Sequence, residues 1–245
     1  MKKKKIRNRL YHISTVHPRD DIRIFYKEII SSSAYYKINF LIADNLGDSL
    51  LKNIDIIDLM SSMNENYPYL FKRFFAQLIA FKKILHDSRG KCINTIVHFH
   101  DPELIFLGFF LTLFRFKVIY DVHEDYRLDL KNRYYLHPII MRNLAFLYGI
   151  IESKLIPYFT AVIAATPSIY NRHKNSSKKI ITVNNYPVIS EFNSLSKNNN
   201  RENSYDICYI GAISRERGIF ELVESLSKVK NQDFVLHLAG SFDSS

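Results

Sequence analysis

Short runs rich in β-branched and aromatic residues alternate along this chain with longer segments of helical period, and that alternation limits the fold more than any other feature. A strand, a crossover helix and a parallel strand bury such runs on both faces of one sheet. The pattern therefore predicts an α/β architecture with a Rossmann-like, doubly wound parallel sheet. Strands are expected over 10–16, 38–43, 54–59, 93–99, 118–122, 161–165 and 180–183. Helices are expected near 20–33, 68–86, 103–115, 138–155 and 167–173. Together they make a first domain over 1–187.

Pro187 opens a different kind of segment, rich in Ser and Asn and poor in periodic apolar residues, which reads as a linker over 188–204. The pattern then restarts over 205–245, with a strand at 205–210, a turn at Gly211, a helix near 216–229 and a strand at 234–239. One βαβ unit of this size buries too little surface to offset its chain entropy. It is expected to be a truncated second Rossmann-like domain, leaning on the first domain or a partner, or continuing in a longer protein.

Charge narrows the partners. There are 34 Lys and Arg against 24 Asp and Glu, a formal charge of +10, which favours anionic partners: lipid head groups, nucleotides or nucleic acid. No helix-turn-helix, zinc-finger or RNP-like pattern supports nucleic acid, so it is not an expected partner. Cys92 and Cys208 lie far apart and outside any CxxC spacing, and read as buried free thiols. The start, MKKKKIRNRL, resembles the charged end of a signal peptide, but His12, His17, Pro18, Arg19 and Asp20 break the apolar stretch that should follow. The expectation is a cytoplasmic protein whose membrane contact, on the inner face of the plasma membrane, is peripheral. The longest apolar run, 104–114, falls short of the roughly 18 residues a spanning helix needs.

Two polar clusters follow predicted strands, at the carboxyl edge where open parallel sheets bind ligands. The first is His98-Phe99-His100-Asp101-Pro102-Glu103. Asp101 as a helix cap and Pro102 in a first helical turn have purely local reasons. His98 and His100 alternate onto one strand face, a spacing that also suits a metal-dependent hydrolase. The second cluster is Asp121-Val122-His123-Glu124-Asp125, in which flanking carboxylates can fix the tautomer of His123. A solvated loop histidine is the plain alternative.

VHFHDPEL followed by VIYDVHEDY resembles the N-terminal domain of family 4 retaining glycosyltransferases of GT-B type, particularly those of bacterial surface-polysaccharide assembly (lipopolysaccharide, capsule or exopolysaccharide). HPRDDIRIFYKE, beginning at His17, is similar to the first loop and helix of that group. VNNYP at 183–187 and YIGAISRERG at 209–218 resemble later segments, the last opening the donor domain. The four matches run in order along almost the whole chain.

The resemblance implies that His123 lies near the acceptor hydroxyl, with His100, Asp101 and Glu124 in the same acceptor cleft and Asp21 and Arg23 at its rim. It implies that Gly211 and Arg217 meet the donor diphosphate, since glycine admits close backbone approach and a guanidinium matches phosphate oxygens. A surface arginine at a helix start is the plain alternative for Arg217. The implied donor substrate is a nucleotide sugar, the acceptor a glycan or lipid-linked sugar, the anomeric configuration retained, and neither cofactor nor metal is expected. Two departures stand out: HPRDD replaces the glycine-rich loop common among relatives, and the paired-glutamate motif of relatives falls downstream of Ser245. A noncatalytic remnant, or an acceptor-binding component that needs its other half in trans, is therefore the alternative.

Between 67 and 91, Lys72, Arg73, Lys82, Lys83, Arg89 and Lys91 interleave with Tyr69, Leu70, Phe71, Phe74, Phe75 and Phe81. Such a helix suits an anionic membrane surface. It equally suits a crossover helix whose apolar side packs on the sheet.

Overall fold

Strands buried on both faces need a helix layer on each side, and the computed structural model has that arrangement. It describes residues 8–242 except 62, 65, 89–91, 133–136, 188–204 and 230–233. The predicted linker 188–204, and Arg89 and Lys91 of the basic segment, lie outside the described residues. The chain divides into two compact units, Met1–Tyr186 and Pro187–Ser245.

In the first unit, β1 (Arg9–Ser14), β2 (Lys37–Ile42), β3 (Ser49–Leu51), β4 (Ile54–Asp58), β5 (Ile96–Phe99), β6 (Lys117–Val122), β7 (Ala161–Ala164) and β8 (Ile180–Thr182) form one sheet in the order β3-β4-β2-β1-β5-β6-β7-β8. All pairs are parallel except β3 with β4. All seven predicted strands are present; the short antiparallel edge strand β3 is additional. The predicted strand 93–99 starts later, because Cys92–Asn94 wind into a 3-10 turn.

Helices follow the strands. α1 begins as a π-helix over Ile22–Ile29 and continues as the α-helical turn Ile30–Ser33. α2 is Tyr69–Asp87, α3 is Ile105–Leu113, α4 is Tyr126–Asn132, α5 is Pro138–Leu155 and α6 is Pro167–His173. Among the described residues, no helix is long and apolar enough to cross a membrane.

The two sheet faces carry separate cores. Leu10, Phe40, Ile42 and Ile56 pack with Ile24, Phe25 and Ile29 of α1 on one side. On the other, Tyr11, Ile13, Val97 and Phe99 pack with Ala76, Ala80 and Ile84 of α2 and Leu107 and Leu111 of α3. Full burial of an aliphatic or aromatic side chain stabilises by roughly 1.5–3 kcal/mol, so these layers dominate the unit's stability. α3 approaches the sheet closely through Gly108, where a Cβ atom would stand 2.5 Å from the Phe99 ring. Phe99 in turn stacks on Tyr120 with centroids 4.6 Å apart.

The second unit has β9 (Tyr205–Ile210) and β10 (Phe234–Ala239) in parallel, with α7 (Ile219–Ser227) between them in sequence. The backbones after the two strands nearly touch: a Cβ on Gly240 would lie 1.8 Å from the Gly211 carbonyl oxygen, so only glycine fits there. Both cysteines are free, but Cys92 is half-buried and Cys208 is exposed within this small unit, contrary to the expectation of two buried thiols.

Candidate functional site

Chain order reverses at β1. From there β2 and β4 build the sheet one way, while β5, β6, β7 and β8 build it the other. The switch point therefore lies between β1 and β5, the place where doubly wound sheets take ligands. Parallel register sets His12 beside His98 there, and period two carries His100 onto the same face. His123 follows β6, one strand further on.

The histidines form a chain. His12 Nδ1 lies 3.0 Å from His100 Nε2, and His100 Nδ1 lies 3.3 Å from His123 Nε2. His123 Nε2 also lies 2.7 Å from Asp121 Oδ2. Arg23 holds the other side of Asp121 with two donors, Nε to Oδ2 at 3.1 Å and Nη2 to Oδ1 at 2.9 Å, and donates through Nη1 to the Val183 carbonyl at 2.7 Å. Burial alone would raise Asp121, but His100, His123 and Arg23 outweigh it and hold the carboxyl well below its usual range. Burial, reinforced by repulsion among the rings, keeps His12 and His98 well below the ordinary imidazole value, and His100 below it.

Glu28 of α1 reaches into the same interior. Its carboxyl is pushed up, first by burial and then by the neighbouring Asp121. Arg23 Nε stands 3.2 Å from Glu28 Oε1, yet the direction is poor for a hydrogen bond and both carboxylate oxygens lack such a partner.

A second layer fixes the loop after β1. Asp101 precedes a 3-10 turn over Pro102–Leu104, but its side chain makes no capping bond. Its Oδ2 instead accepts from the Ser14 hydroxyl and from the Thr15 and Val16 amides. The capping role expected for Asp101 is thus replaced by loop anchoring. Glu103 accepts from Thr15 and from Arg73 of α2, which is therefore engaged in an ion pair. Asp21 caps α1, its Oδ1 accepting from the amides of Arg23 and Ile24 at 2.8 Å each. Burial would raise Asp21, but His17 and these amides bring it down to about 2.

These placements differ from the expected cleft in detail. His100 and Asp101 are fully enclosed, and Arg23, expected at the rim, is buried against Asp121. His17, His123 and the exposed Glu124 remain toward solvent in the first unit. Two contributors escaped the sequence reading. His12 was visible only as an interruption of an apolar stretch, and Glu28 only as part of a motif; pairing His12 with His98 needs the strand register. In the second unit, Gly211 follows β9, and Arg217 is exposed in the 3-10 turn Arg215–Arg217, which leads through left-handed Gly218 (φ 73°) into α7.

No protein-family model and no curated protein matches the sequence. Solved structures do. Sucrose-phosphate synthase from Thermosynechococcus elongatus matches over 97% of this chain and 63% of its own, with 16% identity and a TM-score of 0.68. The E. coli trehalose-6-phosphate synthase bound with UDP-2-fluoro glucose matches over 97% and 65%, with 8% identity and a TM-score of 0.56. A UDP-glucosyltransferase from Polygonum tinctorium, capable of glucosylating indoxyl, matches over 94% and 64%, with 11% identity and a TM-score of 0.51. The chain spans less than two thirds of the length of each. At such identities the likeness establishes the fold, an α/β Rossmann-like architecture of GT-B type.

Proposed function

We propose that this chain is the acceptor-side domain, with the opening of the donor domain, of a glycosyltransferase. In this reading a sugar passes from a nucleotide diphosphate donor to an acceptor hydroxyl with retained anomeric configuration, in bacterial surface-polysaccharide synthesis. The observation that carries the reading is His123 at the carboxyl end of β6, its Nε2 held 2.7 Å from the buried Asp121 carboxylate. That bond fixes the tautomer and leaves Nδ1 to accept from a hydroxyl. Arg23 keeps Asp121 ionised, so the imidazole is both oriented and supported electrostatically. Likeness in fold to three glycosyltransferases supports the same class.

On the donor side, Arg217 and the backbone around Gly211 would meet the diphosphate, with the amide groups at the start of α7 adding favourable partial charge. Departure of the diphosphate then needs no metal at the reacting atoms. A metal-dependent hydrolase built on His98 and His100 is disfavoured, because a catalytic metal keeps an open position for water or substrate. Here the His98 and His100 side chains are only 7% and 0% exposed.

The acceptor fits a glycan or lipid-linked sugar at an anionic membrane. α2 turns its small residues Ala76 and Ala80 to the sheet and leaves Tyr69, Leu70, Phe71, Phe74 and Phe75 exposed. That arrangement favours surface insertion over a helix whose aromatics pack inward.

Titration calorimetry with nucleoside diphosphates, paired with a transfer assay on membranes carrying glycolipid acceptors, tests the reading. Arg217→Ala is expected to weaken diphosphate binding by about tenfold. His123→Ala is expected to leave that binding intact and to lower transfer by about 10²–10⁴, the range of general acid–base catalysis. Absence of diphosphate binding and transfer in the folded chain supplied with its donor-domain continuation overturns it.

A further inference from the structure

Beneath His123 lies a group of side chains that sugar transfer does not use. His12, His98, His100 and Glu28 each offer one ligand atom, and these atoms all lie within 4.8 Å of one another. They come from three elements, β1, the end of β5 and α1, so the grouping is tertiary and not a local accident of sequence. The histidines are 1%, 5% and 1% exposed.

Hydrogen bonding leaves this group incomplete. His12 Nε2, His98 Nε2 and both oxygens of Glu28 are buried without a hydrogen-bond partner. A buried polar atom without a hydrogen-bond partner carries its desolvation penalty unmatched, so four in one place are strongly unfavourable. Arg23 Nε lies 3.2 Å from Glu28 Oε1 and offsets part of the carboxylate's charge, but its hydrogen bonds go to Asp121 and the Val183 carbonyl.

A divalent transition metal would satisfy His12 Nε2, His98 Nε2 and one Glu28 oxygen together, with His100 as the fourth ligand. Three imidazoles held neutral and one carboxylate are the nitrogen and oxygen donors zinc takes, and four protein ligands with no open position are the mark of a structural site. Tetrahedral zinc needs ligand atoms roughly 3.3 Å apart, given metal–ligand bonds of about 2.0–2.1 Å. The present ligand atoms, all within 4.8 Å of one another, would have to draw together to reach that spacing. Ligation through Nε2 would replace the contact of His100 with His12 Nδ1 and leave its Nδ1 on His123, so an ion here would fix the ring against which His123 is set.

We propose that His12, His98, His100 and Glu28 bind one zinc-class divalent cation as a buried structural centre that positions His123 from behind. The site is independent of the sugar-transfer reading and holds no substrate. Metal binding displaces whatever proton Glu28 carries, leaving one carboxylate charge against the two of the ion.

The test uses the untagged full chain, purified without metal resin and dialysed against chelator-free buffer. Elemental analysis is expected to find about one zinc per chain, and cobalt added to metal-stripped protein is expected to give the visible absorption bands of a tetrahedral site. Glu28→Gln, which keeps shape, and His98→Ala should each lower retained metal at least tenfold, whereas the exposed His86→Ala should not. Should either site variant fail to fold, a rise of several degrees in the melting temperature of stripped wild-type protein on adding zinc alone carries the same information. Folded wild-type protein that retains less than about a tenth of an equivalent and gives no cobalt bands overturns the proposal. So does metal retained in full by both folded site variants.

Discussion

Arg23 and Asp121 stand 98 residues apart in sequence and meet as a two-point ion pair, with side chains 6% and 0% exposed. Two parallel donors on one carboxylate match guanidinium geometry, and lysine offers no equivalent. Removing one partner of a buried pair strands the other charge, at a cost of about 3–5 kcal/mol. Arg23→Met is therefore expected to lower unfolding free energy by that amount in urea titrations. Arg23→Lys should recover less than half of the loss. A Met variant as stable as wild type removes the pair from any structural role.

His173 on α6 is buried beside Arg172, and desolvation, followed by the guanidinium charge, lowers it to about 4. With the unfolded imidazole near 6.5, the unfolded chain binds the extra proton between pH 6.5 and 4. Stability from this residue is complete above about 6.5 and falls through that window, by an amount on the order of 3 kcal/mol. His173→Gln should flatten the dependence of the urea midpoint between pH 6.5 and 4. Parallel curves for the two proteins would assign the acid sensitivity elsewhere.

Vesicle flotation addresses the exposed face of α2. Arg73 is tied to Glu103 and is a poor choice for charge reversal, since its loss also loosens the loop at Thr15. Lys83 is likewise paired with Asp87 at 3.4 Å, so Lys72 and Lys82 are the better set, and basic residues near an anionic surface each contribute about 1 kcal/mol. Changing both to Glu is expected to lower binding to phosphatidylserine vesicles by at least tenfold, with the thermal melt unchanged. Full retention of binding would exclude α2 as the anchor.

The contact of α3 with β5 is a fourth target. Gly108→Ala drives a methyl group to 2.5 Å from Phe99, a ring already stacked on Tyr120. Overpacking of this kind costs about 1–3 kcal/mol. The variant should melt several degrees lower, and Gly108→Ala with Phe99→Leu should recover part of the loss. Equal melting of the single variant and wild type would mean that the helix can withdraw freely.

Period and apolarity made the seven predicted strands and most helices legible. β3 escaped because Ser49–Leu51 is exposed at all three positions and buries no apolar pattern. α4 lay hidden behind the polar HEDY segment. The site was legible to the extent that motifs sit at strand ends: His100 and His123 do meet. Arg23, by contrast, gave no sign that it crosses to Asp121, and His12 no sign of its neighbour His98. Both relationships are set by sheet order, which a linear pattern does not contain.

The π-helical turns of α1 have a consequence for how this protein can vary. Residues five apart, such as Arg23 and Glu28, would point about 140° away from each other on an ordinary helix of 3.6 residues per turn. The wider i→i+5 winding brings them within about 50°, so that both enter the sheet's interior. Deleting one residue between 24 and 27 would let the segment tighten into regular geometry and swing the carboxylate out toward solvent. Point substitutions on the outer face of this element should be tolerated freely, while a change of a single residue in its length should not.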